Sequence, residues 1–467
     1  MAKSHFQGLK PSSVIITTND FITIIATFFI LIVSFDSASA SNLFNPFDQG
    51  LIIHLLIFIF FMQTCILAVG LYNEKLRATF KGIIIRLAVS VFIAFLLAKV
   101  FYKVFSVSEL PLYFTELYFG TALLMFVVTR YAASKTSYKQ IGLKRIMILG
   151  AGKRASLIVK GMRRKADRVG MQIVGFIPME GDAIQEVDSE QKIALKGESL
   201  ESFAVKNDIS EIIIAPDERR NVLPNESLFC CKRMGVEITD IIDFVERETG
   251  QVAVNHIYPS WIIYGNNPAT NTAFQTLEWL INTFIALIIF ALTWPLMVAT
   301  VICIKLEDGW NAPVLYSQAR TGLHGKVFKI YKFRSMSVDA EKDGAKWAQV
   351  ADPRVTRVGA FIRKYRVDEL PQLFNVVKGD MGFVGPRPER PQFTERFNHS
   401  IPYYNHRLNV KPGLTGWAQL KYPYGSNERD AEEKLKFDLY YIKNKGFLFD
   451  LLILLRTAEI ILFGKGR

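Results

Sequence analysis

Apolar and polar positions divide the chain into three textures. Four apolar runs come first, at Ser13–Phe35, Leu51–Leu71, Gly82–Tyr102 and Leu112–Tyr131. Each is long enough for a membrane-crossing helix, which needs roughly 20 mostly apolar residues. Positive charge is unequal between their flanks. Lys3 and Lys10 precede the first run, and "DSASASNLFNPFDQG" after it has neither Lys nor Arg. Lys75, Arg77 and Lys81 follow the second run, and Lys103 and Glu109 sit in the short third connection. Arg130, Lys135, Lys139, Lys144 and Arg145 close the block. Lys and Arg collect on the cytoplasmic side of membrane helices. Residues 1–139 are therefore expected to form a four-helix transmembrane bundle with both ends in the cytoplasm.

The second texture, residues 140–265, alternates short apolar strands with helical stretches. "RIMILGAG", "MQIVGFIP", "ISEIIIAP" and "MGVEITDII" read as strands; "KRASLIVKGMRRKA" and "ESLESFAVKND" read as helices. That alternation predicts a parallel sheet in a Rossmann-like α/β module. The turn Gly150-Ala151-Gly152-Lys153-Arg154-Ala155 meets only part of a dinucleotide fingerprint. Alanine is allowed at its third small position, but the strand "QIVGFIP" ends without the acid that would hold a ribose. A structural module is the better reading.

A fifth apolar run, Leu277–Ile304, is long enough to span but contains Pro295. If it crossed, everything after it would leave the cytoplasm. From 305 to 467 the chain turns basic and dense in short polar motifs. Its tail, "FLFDLLILLRTAEIILFGKG", has the spacing of an amphipathic helix lying on a membrane surface or on the core.

Composition fits a membrane part joined to a soluble part. Of 467 residues, 50% are hydrophobic and 21% are charged, and the net charge is +13. Basic membrane flanks and a basic face toward lipid phosphate or a nucleotide both explain that excess. No zinc-finger or RNA-recognition pattern points to nucleic acid. Cys65, Cys230, Cys231 and Cys303 fit neither a zinc site nor a disulfide framework and read as reduced structural thiols. No cleavable signal peptide is expected.

The third texture holds the candidate chemistry. In "YRVDELPQLFNVVKGDMGFVGPRPER", Asp368 and Glu369 stand side by side before Pro371. Aspartate caps helices and proline suits a first helical turn, so the segment reads first as a helix start. Its neighbours add a second reading. "QARTG" brings Arg320, "KIYKFRSM" brings Lys332 and Arg334, and the Pro386-Arg387-Pro388 turn holds an arginine rigidly. "YNHRLNVKPG" adds Arg407 and Lys411. Basic side chains on fixed turns suit phosphate oxygens. Two carboxylates at a turn suit one Mg²⁺, which takes few carboxylates and completes its shell with substrate phosphates. A carboxylate is also a competent nucleophile in phosphoryl transfer.

"QARTGLHGKVFKIYKFRSM", "RVDELPQLFNVVKGDMGFVGPRPERP", "KPGLTGWAQL" and "KLKFDLYYIKN" together resemble the bacterial sugar transferases, or monotopic polyprenyl-phosphate phosphoglycosyl transferases. The resemblance covers about Glu278 to Gly466, with the motifs in the family's order. The front half is similar to that of the large members, of the undecaprenyl-phosphate glucose or galactose phosphotransferase type. The resemblance implies a mainly α catalytic domain. In it Asp368 attacks the β-phosphate of a UDP-sugar, UMP leaves, and undecaprenyl phosphate collects the sugar phosphate from the aspartate. Glu369 would hold Mg²⁺ beside Asp368. Arg320, Lys332, Arg334, Arg387 and Arg407 would contact phosphate or nucleotide, and Asp438 would organise the site through a basic partner. One departure is Lys411 before Pro412-Gly413, where the family often has Arg; lysine lacks the bidentate fork. The resemblance further implies a bacterial inner membrane, contact with membrane lipid, and a cytoplasmic catalytic domain; a homodimer is also expected. Residues 275–304 would then enter the membrane and return on the same side, breaking at Pro295 with Thr293 helping to satisfy freed carbonyls.

Two other readings remain open. A membrane-anchored nucleotide-sugar dehydratase or epimerase would need a full glycine fingerprint with a Tyr-x-x-x-Lys pair near it; Tyr441 to Lys445 has that spacing but lies far from the glycine turn and reads as a coincidence. A non-catalytic polysaccharide-assembly subunit would release no UMP.

Overall fold

The computed structural model describes residues 11–39, 49–72, 80–105, 110, 113–135, 144–162, 171–180, 182, 186–195, 197–218, 222–254, 272–337, 352–422 and 427–462. Lys3, Lys10, Lys75, Arg77, Glu109 and Lys139, whose charges set the expected orientation, lie outside the described residues, as do 255–265 of the expected α/β module. The chain forms two compact units, Met1–Ile241 and Ile242–Arg467.

The first unit opens with four helices, α1 (Pro11–Ser39), α2 (Gln49–Ala68), α3 (Phe80–Phe105) and α4 (Phe114–Lys135). Their shared core is aromatic: Phe28, Phe58, Phe114, Tyr118 and Phe126 are fully buried. Phe58 and Tyr118 stack with ring centroids 4.4 Å apart. Lys99 pairs with Glu116 at 2.9 Å. Among the described residues four helices are long and apolar enough to cross a membrane: Ile16–Ser34, Gly50–Ala68, Gly82–Phe105 and Gln275–Asp308. The first three fall in the expected bundle and the fourth is the later run. α4, which contains Glu116 and Arg130, forms as a helix but is not one of these four.

The α/β segment holds β1 (Lys144–Leu149), α5 (Lys153–Gly161), β2 (Met171–Ile177), α6 (Leu200–Lys206), β3 (Glu211–Ile214), α7 (Asn225–Arg233) and β4 (Glu237–Asp240). The four strands are parallel, in the order β2-β1-β3-β4. The chain reverses direction across the sheet between β1 and β3. The glycine turn after β1 therefore lies at the switch point, where open α/β sheets carry their crevice.

In the second unit α8 (Ile241–Thr249) leads to Val252 and Val254, which are buried with Phe397, Tyr404 and Leu439. Residues from Ile242 thus pack with the C-terminal unit, inside the stretch expected to belong to the α/β module. Then come α9 (Thr272–Asp308), β5 (Leu315–Thr321), β6 (Val327–Phe333), α10 (Arg357–Lys364), a 3₁₀ helix (Val367–Gln372) and α11 (Leu373–Lys378). They are followed by β7 (Gly382–Val384), α12 (Pro391–Ser400), β8 (Gly413–Thr415), α13 (Trp417–Lys421), α14 (Glu428–Asn444) and α15 (Phe447–Leu462). β5 and β6 form an antiparallel hairpin; β7 and β8 pair in parallel.

The expected break at Pro295 is not seen: α9 is helical through it. Proline removes one helical hydrogen bond, and the neighbouring turns stay closed, with Thr293 Oγ1 donating to the Ile289 carbonyl at 2.7 Å. Both arms of α9 pack on their own unit. In the first, Trp279 Nε1 donates to the Val377 carbonyl at 3.1 Å and Glu278 pairs with Lys445 at 2.8 Å. In the second, Ile304 is buried with Phe333, Ile362 and Val367, and Glu307 accepts from the N–H groups of Arg357 and Val358. The tail α15 packs on the core through Ile453 and the Thr457–Thr415 hydroxyl pair.

Candidate active site

Asp368 and Glu369 lie in the 3₁₀ helix and are 7% and 8% exposed. Arg366, just before them, adopts a left-handed conformation at φ 58°. A non-glycine residue is strained there, at a cost of roughly 1–2 kcal/mol, and such strain persists only where the surroundings enforce it. The turn so formed presents Glu369 to β6. Lys332 Nζ and Arg387 NH2 each lie 2.8 Å from Glu369 Oε1, and Arg366 NH1 lies at 3.8 Å. Burial opposes the Glu369 charge, yet Lys332 and Arg387 overcome it and hold the carboxyl well below the usual range. Asp368 goes the other way. Burial raises its pKa, Glu369 adds to that, and Lys332 only partly offsets it. Its Oδ1 is buried without a hydrogen-bond partner among the described residues. Adjacent carboxylates thus differ in role: one is neutralised by fixed cations, the other holds an unused acceptor.

The Pro386-Arg387-Pro388 turn is held from several sides. The Gly385 N–H donates to Thr415, and the Gly413 N–H donates to the Pro386 carbonyl. The backbones cross so closely that a Cβ on Gly416 would fall 2.2 Å from the Gly385 carbonyl oxygen. Arg320 NH1 donates to the Pro388 carbonyl at 3.0 Å and its NH2 to Gln318 at 2.6 Å, so this guanidinium ties the hairpin to the turn. Arg407 NH2 donates to the Arg387 carbonyl and to Asp438 Oδ2, both at 2.9 Å, and its NH1 donates to the Tyr404 hydroxyl at 2.7 Å. Burial pushes the Asp438 carboxyl up to about 6 even with Arg407 beside it. Arg320, Arg407 and Asp438 therefore engage protein groups around the turn. Lys332, Arg387 and the dyad come together directly. Arg334, one residue beyond β6, keeps its NH1 buried without a partner among the described residues. The Lys411 carbonyl abuts Gly385, and its ammonium is not among the cations paired with the dyad.

The dehydratase-like pair is taken up elsewhere. Tyr441 donates to Asp450 at 2.8 Å and Lys445 pairs with Glu278. The glycine turn of the first unit is filled by the chain's own carboxylates. The N–H groups of Lys153 and Arg154 donate to Asp217, and that of Ala151 donates to Asp182.

The family model described as "Bacterial sugar transferase" matches residues 273–464. A UDP-N-acetylgalactosamine-undecaprenyl-phosphate N-acetylgalactosaminephosphotransferase of Aeromonas hydrophila is 40% identical over 236 residues, covering 50% of this chain and 55% of that protein. An uncharacterized sugar transferase of Bacillus subtilis is 38% identical over 185 residues, 39% of this chain and 85% of the relative. An undecaprenyl-phosphate galactose phosphotransferase of Salmonella typhimurium is 38% identical over 214 residues, 42% of this chain and 43% of the relative. The chain thus spans about half the length of the Aeromonas and Salmonella relatives, and most of the Bacillus one. It belongs to the bacterial sugar transferase family.

Proposed function

We propose that the chain transfers a sugar 1-phosphate from a UDP-sugar to undecaprenyl phosphate through a covalent intermediate on Asp368. The observation that carries this reading is the division of labour in the dyad. Asp368 has a buried, unpartnered oxygen, while Lys332 and Arg387 converge on its neighbour Glu369. An Asp368 oxygen attacks the β-phosphorus. The bond from that phosphorus to the bridging oxygen breaks, and UMP leaves with the electron pair. The phosphate oxygen of undecaprenyl phosphate then attacks the same phosphorus and expels Asp368 as a carboxylate. Phosphoryl transfer depends mainly on positioning and charge neutralisation. Lys332 and Arg387 supply both, and when the diphosphate enters they exchange part of their contact with Glu369 for phosphoryl oxygens. Burial makes Asp368 a poorly solvated, more reactive anion once it is deprotonated.

Asp368 and Glu369 fit one Mg²⁺. The unpartnered Asp368 Oδ1 is a free ligand, and no cluster of three acidic, His or Cys groups occurs among the described residues, so a bound ion would rely on substrate phosphates. Such an ion would neutralise charge on the diphosphate.

A UDP-sugar requires a cytoplasmic site. The packing of both arms of α9 on one unit supports both ends of α9 lying on the cytoplasmic side, with the helix bending at Pro295 without breaking and Phe284, Leu287 and Leu292 facing the lipid of the inner membrane. The expected homodimer remains part of this proposal. The Aeromonas and Salmonella relatives are named for N-acetylgalactosamine and for galactose, so both join the glucose expected from the sequence as candidates. The test is UMP release from the purified chain with each UDP-sugar, undecaprenyl phosphate and Mg²⁺. One sugar should give turnover. No UMP from any of them would leave a non-catalytic assembly role.

A further inference from the structure

Gln372 enters none of the site assignments above. It is 4% exposed, and its Nε2 is buried with no hydrogen-bond partner among the described residues. It closes the 3₁₀ helix that carries the dyad. In a 3₁₀ helix, residues three apart eclipse. Gln372 therefore stands one turn beyond Glu369 on the same side, the side that meets Lys332 and Arg387. Asp368 Oδ1 and Arg334 NH1 are likewise buried and unpartnered.

A buried donor without an acceptor weakens a fold, and native proteins keep such groups where a bound molecule completes them. The missing partner of a carboxamide NH2 on the turn that carries Glu369 and its two cations is an acceptor, and an anionic one suits that field. We propose that Gln372 binds substrate: its Nε2 donates to a phosphoryl oxygen of the bound nucleotide sugar and aligns the phosphorus with Asp368. This rests on the phosphoryl-transfer reading and adds a group to it. A hydroxyl of the sugar would leave the cation-lined side of the turn unexplained.

The role separates cleanly from a structural one. Replacing an unpartnered buried donor by an apolar group of similar shape is neutral or stabilising, whereas removing a structural hydrogen bond destabilises. The full-length chain in detergent or nanodiscs is compared with Gln372→Met. Thermal unfolding without substrate is measured, together with the single-turnover rate of the sugar-phosphate adduct on the protein by intact mass. Q372M is expected to keep or raise the unfolding midpoint and to slow adduct formation by about 10²-fold, the low end of what losing one preorganised donor costs. A lowered midpoint with a native adduct rate would overturn the proposal and make Gln372 structural. If Q372M does not fold, Gln372→Glu keeps size and polarity but removes the donor; the same slowing is expected, and a native rate would overturn the proposal. A native chain that forms no adduct removes the phosphoryl-transfer reading and this inference with it. A native chain that does, with Q372M equally fast, removes this inference alone.

Discussion

Two turns in this chain each lead into a helix and differ in what fills them. The glycine turn after β1 and the turn carrying Asp368 both precede helices and both offer polar groups at a bend. In the first, every group named above meets a carboxylate of the same chain: Asp217 accepts from Lys153 and Arg154, and Asp182 accepts from Ala151. A Cβ on Gly152 would lie 2.4 Å from Asp217 Oδ2, so glycine there admits an aspartate where a dinucleotide fold admits a phosphate. In the second, Asp368 Oδ1 and Gln372 Nε2 are buried without partners. A helix start is a ready anion site, but only where the protein has not supplied the anion itself. On the proposed function, what each turn's groups meet, more than glycine spacing, separates the ligand-handling turn from the filled one.

The comparison breaks most readily at the cations. Arg387→Met should lower turnover by about 10²- to 10³-fold, the loss typical of one preorganised charge-stabilising group, and Arg387→Lys should recover only part because it lacks the fork. UMP release kinetics check both. A normal rate in R387M would mean the Glu369 contact is only structural.

The pH dependence sharpens it. On the proposed mechanism Asp368 must be ionised to attack, and burial raises its pKa, so adduct formation should fall as pH drops through that raised value. Lys332 is the main influence lowering that pKa, so Lys332→Met should shift the inflection to higher pH. Stability runs the other way near neutrality. Burial pushes Asp438 and Asp450 up to about 6 from an ordinary 3.8, so the folded chain holds protons that the unfolded chain has lost. That contribution is complete below about 3.8 and is lost as pH rises through about 6. Between these values the second unit should grow more resistant to unfolding as pH falls, less so in Asp438→Asn. Denaturant titration at several pH values measures it.

The smallest effect belongs to the filled turn. Asp217→Ala should cost about 1 kcal/mol, as for loss of a helix cap. Millimolar formate should restore part of it, since the freed N–H groups of Lys153 and Arg154 would donate to a small anion. Turnover should not change. Thermal unfolding of the full chain with and without formate is the check.

Much of the site is legible in sequence because its parts are contiguous or sit on rigid turns: Asp368-Glu369, the Pro386-Arg387-Pro388 turn, and Lys332 on a strand. Three features are not. The Arg407–Asp438 pair joins residues far apart in sequence, so only folding shows that Arg407 meets Asp438 and the Arg387 carbonyl. Asp182 and Asp217 reach the glycine turn from separate loops, which no fingerprint spacing encodes. Gln372 is hidden by helix type. Read as one amphipathic α-helix, "LPQLFNVV" gives it no special place; as the end of a 3₁₀ turn it eclipses Glu369. At Pro295 the local rule for proline overstates the break, because a long apolar helix loses one hydrogen bond there and continues.

The central claim is that Asp368 forms a covalent bond to phosphorus. Intact mass of the native chain after incubation with each UDP-sugar and Mg²⁺, without undecaprenyl phosphate, tests it directly. The account predicts a mass increase equal to one sugar phosphate, discharged on adding undecaprenyl phosphate and absent from Asp368→Asn. The same adduct on Asp368→Asn, or UMP release from the native chain with no adduct at any time point, would contradict it.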